Sequence, residues 1–117
     1  MDQYCEIPRW QMLKSQLDNL DVASFRQAME DNSLSILLDV RTKEELDLQK
    51  LEGAVHLDYL DYNFLDDLEK LDRDKTYLVY CRSGRRSVRT CVLMKNWGFK
   101  RVFNLDGGLV AWNQIER

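Results

Sequence analysis

The segment from Leu34 to Val40, Leu-Ser-Ile-Leu-Leu-Asp-Val, is short and almost continuously apolar. That pattern predicts a strand covered on both faces, as in a parallel sheet. Thr42-Lys-Glu-Glu follows, with Glu45 three residues after the threonine, so a capping box should start a helix there. Gly53 ends that unit, and Ala54-Val55-His56-Leu57 predicts a second short strand. From about Asp61 to Leu71, Phe64, Leu65, Leu68 and Leu71 recur at helical spacing. Thr76 to Tyr80, rich in β-branched and aromatic residues, is the clearest strand in the chain. Ser87 is expected to cap the next helix, with Val88, Cys91, Val92 and Trp97 on its buried face and Gly98 as its stop. Arg101 to Leu105 is another strand, after which Gly107-Gly108 turns into a last short helix through Trp112.

Strands alternating with helical segments predict an α/β fold. Its form would be three layers, α/β/α, around a central, mainly parallel sheet of about five strands. No internal repeat and no Pro/Gly/Ser linker divides the chain. Residues 1–19 read as an N-terminal extension to a domain spanning 20–117. Pro8 could open a helix there, with Trp10, Leu13, Leu17 and Leu20 on one face. That stripe is expected to pack on the domain's own sheet, the alternative being a docking or dimer surface.

A chain of 117 residues is one domain's worth and can bury such a core without disulfide or metal staples. A net charge of -3 argues against general nucleic-acid binding. Residues 82–89 oppose that sign, with Arg82, Arg85, Arg86 and Arg89 and no acid. The N-terminus lacks a basic segment followed by an apolar stretch, which argues against a secretory signal. No apolar run approaches the roughly 18 residues needed to span a bilayer. The three cysteines, Cys5, Cys81 and Cys91, have neither CxxC nor metal-ligand spacing. Free thiols and a cytoplasmic location are expected.

Ligand sites in α/β sheets form outside the carboxyl ends of the strands. Cys81 sits at such an end, ahead of a tight glycine-containing turn and a helix start. A thiol attacks only as thiolate, and a helix N-terminus with nearby arginines favours that form. Backbone N–H groups of the turn can cradle an anion, and Gly84 permits the backbone angle this requires. Arg82, Arg85 and Arg86 keep their protons and present forks suited to oxyanions. Alone, a cysteine is more often a buried space-filler. An inert core thiol has no need of three arginines within five residues.

The loop Cys81-Arg82-Ser83-Gly84-Arg85-Arg86-Ser87 resembles the active-site loop of single-domain rhodaneses, a family of sulfurtransferases. Leu37-Leu38-Asp39-Val40-Arg41 with Glu44-Glu45 is similar to that family's upstream signature. Asn104-Leu105-Asp106-Gly107-Gly108 with Ala111-Trp112 is similar to its downstream one. The family's Gly-His-Ile-Pro-Gly-Ala segment reads Gln49-Lys50-Leu51-Glu52-Gly53-Ala54 here.

The resemblance implies Cys81 as the catalytic nucleophile, with Arg82, Ser83, Gly84, Arg85, Arg86 and Ser87 binding a small anionic donor such as thiosulfate. A persulfide on Cys81 would pass its sulfur to cyanide, a thiol or a protein acceptor, with no metal and no organic cofactor. Asp39 and Arg41 could border the pocket or form an ion pair, one that could include Glu45, fixing the strand–helix junction. His56 is the only histidine and reads as structural. Cys91 reads as space-filling on its helix, and Gly107-Gly108 as a tight turn.

Three other readings compete: a persulfide carrier, a regulatory binding module, and a cysteine phosphatase or arsenate reductase. The last uses a Cys-xxxxx-Arg loop, which would place its arginine at position 87, where Ser87 stands.

Overall fold

Alternation along Thr76–Tyr80 sets the frame, because Tyr77, Val79 and then Cys81 fall on one face of the sheet and Leu78 and Tyr80 on the other. The computed structural model describes residues 8–31 and 34–116. The strands are β1 (Asp18–Leu20), β2 (Ile36–Asp39), β3 (Val55–His56), β4 (Thr76–Tyr80) and β5 (Arg101–Leu105). They lie in the order β1-β5-β4-β2-β3, and every pairing is parallel. The helices are α1 (Arg9–Lys14), α2 (Val22–Asp31), α3 (Lys43–Leu48), α4 (Phe64–Glu69), α5 (Arg85–Asn96) and α6 (Gly108–Glu116). The chain leaves β2 for β3 on one side and returns to β4 on the other. Such a reversal opens a crevice at the carboxyl ends of the strands.

Each face of the sheet carries its own core. One joins Leu38, Val79, Cys81 and Val102 to Phe64 and Leu68 of α4 and to Cys91 and Met94 of α5. The other joins Leu37, Leu78, Tyr80 and Leu105 to Val22 and Phe25 of α2 and Leu109 of α6. Fully burying a side chain such as Leu38 or Met94 is worth about 1.5–3 kcal/mol, so these two layers hold the strands in register. A slip of one residue in β4 would move Cys81 to the wrong face.

The expected three-layer α/β/α architecture is present, with several boundaries shifted. The capping box at Thr42 and Glu45 forms as predicted. α5 begins at Arg85 rather than after Ser87, because Gly84, at φ 109°, takes the N-cap position. α4 is shorter than its apolar periodicity suggested, and α6 runs past Trp112 to Glu116.

The stripe from Trp10 to Leu20 is not one helix. α1 ends at Lys14, and Leu20 lies in β1, an edge strand paired only with β5. β1, reading Asp-Asn-Leu, lacks the β-branched or aromatic signal that marks a strand. It also crosses the boundary expected at residue 20. α2, which the apolar pattern left unmarked, is started by Asp21, whose side chain accepts the Ser24 N–H at 2.8 Å.

Candidate active site

β4 delivers Cys81 to the carboxyl edge of the sheet, and the chain turns directly beneath the first turn of α5. The turn is held from outside by α6. Leu109 and Val110 donate their N–H groups to the carbonyls of Cys81 and Arg82, each at 2.9 Å. With those carbonyls turned outward, loop amides are left facing the sulfur. Gly84 donates its N–H to Cys81 Sγ at 3.0 Å, and Ser87 of α5 donates its own at 3.4 Å.

The close approach of α6 depends on Gly108. A Cβ there would lie 2.5 Å from the Arg82 carbonyl oxygen and 2.6 Å from that of Cys81. The Gly107-Gly108 pair is therefore more than a tight turn, because it lets one helix N-terminus press against the loop.

The Cys81 thiol donates to Ser87 Oγ at 3.5 Å. Ser87 Oγ also lies 2.6 Å from Asn104 Oδ1 and 3.1 Å from the Gly84 carbonyl. Asn104 Nδ2 reaches Asn19 Oδ1 at 3.0 Å, so a buried polar chain runs from the thiol to β1. Asn104 was not singled out in the sequence as a site residue. Its signal was a lone amide inside the otherwise suitable strand Arg-Val-Phe-Asn-Leu, where a buried polar group needs a partner.

Two of the three loop arginines are engaged by side chains from other helices. Arg86 donates to both oxygens of Glu45, at 2.8 and 2.9 Å. The Arg86 guanidinium holds the Glu45 carboxyl down to about 2. Glu45, read from sequence as a capping residue and a member of the upstream signature, thus joins α3 to the loop. Arg85 places its guanidinium over the Trp10 ring of α1, 5.6 Å from the centroid. Arg82 and Ser83 are exposed, and Arg82 borders a cleft of about 240 Å³ with Arg41, Glu45, Val110 and Asn113. Cys81 itself is only 1% exposed, so its sulfur lies under the loop rather than in an open bowl.

Asp39 and Arg41 form the ion pair, with Arg41 at 2.7 Å and both side chains buried. Tyr80 donates its hydroxyl to Asp39 at 2.7 Å and accepts the Leu51 N–H at 3.1 Å. Arg41 also donates to the carbonyls of Glu45 and Gln49. The pair ties β2, β4 and α3 together, and Arg41 also lines the cleft beside Arg82. His56 donates from Nε2 to the Arg41 carbonyl at 2.8 Å and supports the same junction. Burial pushes the Cys91 thiol well up, which keeps it protonated and poorly nucleophilic.

A parallel α/β sheet with a thiol at the end of a central strand, held under the N-terminus of the next helix, defines a class of cysteine-loop proteins. The rhodanese-like domain model matches residues 21–115, and the chain belongs to that family. It is 35% identical over 97 residues to YtwF of Bacillus subtilis, a protein named as a sulfurtransferase, covering 83% of this chain and 91% of that one. It is 30% identical over 96 residues to a sulfurtransferase of Allochromatium vinosum, covering 82% and 88%. The solution structure of a polysulfide-sulfur transferase homodimer from Wolinella succinogenes shares the fold, with a TM-score of 0.80. Sequence identity to it is 21%, over 98% of this chain and 86% of that one.

Among the described residues, no helix is long and apolar enough to cross a membrane.

Proposed function

We propose that this chain is a rhodanese-type sulfurtransferase working through a persulfide on Cys81. The observation that carries the reading is the environment of Cys81 Sγ, which receives two backbone N–H groups at the start of α5. Donors so placed favour negative charge on sulfur.

Cys81 thiolate attacks the outer sulfur of thiosulfate or of a persulfide donor. The donor's S–S bond breaks, and sulfite, or the donor's thiolate, leaves with the bonding pair. The acceptor, cyanide or a thiol, then attacks the terminal sulfur of the Cys81 persulfide and returns Cys81 as thiolate. These are the two halves of a covalent mechanism with ping-pong kinetics.

Arg82 and Ser83, exposed on the loop, are the groups that meet the donor's charge. Gly84 and Ser87 support the sulfur through their N–H groups. Arg85, stacked on Trp10, and Arg86, paired with Glu45, contribute positive field more than direct contact. Because the sulfur is covered, donor entry requires the exposed arc at Arg82 and Ser83 to yield.

A protein thiol as acceptor would make the chain a persulfide carrier with the same first half-reaction. The cytoplasm is the compartment assigned, on the ground that Cys81 and Cys91 are free thiols.

Intact-mass measurement after thiosulfate treatment tests the reading. The wild type should gain one sulfur atom, and Cys81→Ala should gain none. An unmodified wild type would overturn it.

A further inference from the structure

The amide chain behind Cys81 has only one consistent direction. Asn19 Nδ2 lies 2.9 Å from the Lys14 carbonyl and 3.3 Å from that of Leu17, and carbonyls only accept. Asn19 must therefore turn its oxygen toward Asn104. Asn104 must in turn donate from Nδ2 to Asn19 and direct Oδ1 at Ser87. An amide oxygen cannot donate, so Asn104 accepts from Ser87, and the hydroxyl's single proton goes to that oxygen at 2.6 Å in preference to the Gly84 carbonyl at 3.1 Å. What Ser87 Oγ then turns toward Cys81 is a lone pair, which accepts the S–H of the resting thiol. It offers a thiolate nothing. Ser87 is fully buried and Asn104 is 1% exposed, so no bulk water scrambles this order.

We infer that Asn104 is a positioning residue for the sulfur-transfer reaction, acting through Ser87. By holding the Ser87 proton, it leaves the Cys81 thiolate supported by the Gly84 and Ser87 N–H groups alone. Its anchor lies outside the loop, in the α1–β1 connection that supplies the two carbonyls. A thiolate given an extra donor becomes more abundant but less nucleophilic. Asn104 therefore sets the balance between the thiol and thiolate forms of the reacting group. The inference rests on Cys81 being that group.

The test is site-resolved alkylation of Cys81 by iodoacetamide. It is measured on the acid side of the wild-type alkylation profile, where the thiolate fraction limits the rate. No sulfur donor is needed, so failure here is separate from failure of sulfur loading. Asn104→Leu leaves the Ser87 proton to the neutral Gly84 carbonyl at 3.1 Å or to the sulfur, and a thiolate is the stronger acceptor, so alkylation should speed up by about threefold or more. Asn104→Asp loses the same donor to Asn19 but still accepts from Ser87, and should be no faster than wild type. In a Ser87→Ala background, Asn104→Leu should change nothing. This cycle separates action through Ser87 from general loosening. Arg82, Arg85, Arg86, Cys91 and the Asp39–Arg41 pair are the same in every variant. Equal acceleration by Leu and Asp, no acceleration by Leu, or acceleration that survives Ser87→Ala would each overturn the proposal. If Asn104→Leu does not fold, Asn19→Ala, at a half-buried position, unpins the Asn104 amide instead. It should give a smaller gain that also vanishes without the Ser87 hydroxyl, and no gain would overturn the proposal.

Discussion

Arg86 and Glu45 meet end on, two nitrogens to two oxygens, at 2.8 and 2.9 Å. The contact joins the first turn of α5 to the first turn of α3, and both side chains are about one-quarter exposed. It is a structural clamp on the loop, and it also occupies a guanidinium that an anionic donor would otherwise compete for.

Replacing Glu45 with Gln should release that guanidinium while keeping an acceptor for the Thr42 N–H. The expected outcome is a lower KM for thiosulfate, by about threefold to tenfold, together with a loss of about 1 kcal/mol in stability, a figure discounted for partial exposure. Sulfite-release kinetics and denaturant unfolding read the two effects. An unchanged or higher KM would mean that Arg86 does not contribute to donor binding even when free.

The same pair carries a pH dependence. Glu45 is held down to about 2 from an ordinary 4.5. A carboxylate depressed in the folded state stabilises the fold above its unfolded value and loses that contribution as protons are added. Stability should therefore fall between about pH 4.5 and pH 2, and the fall should be shallower in Glu45→Gln. Unfolding curves across that window measure it, and parallel wild-type and variant slopes would count against the assignment.

Gly108 has φ 59° and no space for a side chain, since the carbonyls of Cys81 and Arg82 lie where a Cβ would sit. Gly108→Ala should cost about 2–4 kcal/mol from the combined backbone strain and overpacking. Because the displaced atoms belong to the loop, sulfur loading should also slow by about tenfold or more. A thermal melt and the rate of mass gain check this. A variant that melts early yet loads at the wild-type rate would show that α6 stabilises the fold without shaping the site.

Arg82→Ala and Arg86→Ala should separate. Arg82 is exposed, so its removal should leave stability within about 0.5 kcal/mol. It should raise the donor KM by about tenfold through a lost charge-assisted contact. Arg86→Ala should instead lower stability by stripping Glu45 of its partner. Saturation kinetics beside unfolding midpoints distinguish the two, and indistinguishable variants would refute the division of roles.

β2, β4 and β5 were legible because their patterns are strong. Leu34–Val40, Thr76–Tyr80 and Arg101–Leu105 are short, apolar or β-branched runs, and buried parallel strands need little else. β1 was not legible, because an edge strand of Asp-Asn-Leu gains its conformation from pairing with β5, not from its own composition. The start of α5 was read three residues late because a serine is a better cap on average than a glycine. Here the loop geometry demands the positive φ that Gly84 supplies.

The sequence by itself determined that a cysteine follows a strand directly and precedes a glycine turn and a helix. Strand parity and local turn chemistry are properties of neighbouring residues, so no tertiary information was needed. Only the tertiary structure decided which groups reach that cysteine. Glu45 captures Arg86, Trp10 underlies Arg85, Gly108 admits the carbonyls of the loop, and Asn104 claims the Ser87 proton. Except for Arg86, Arg85 and Ser87 themselves, those partners lie outside the loop. Charge and hydrogen-bond pairing across such separations depends on how the layers pack, which no local pattern encodes.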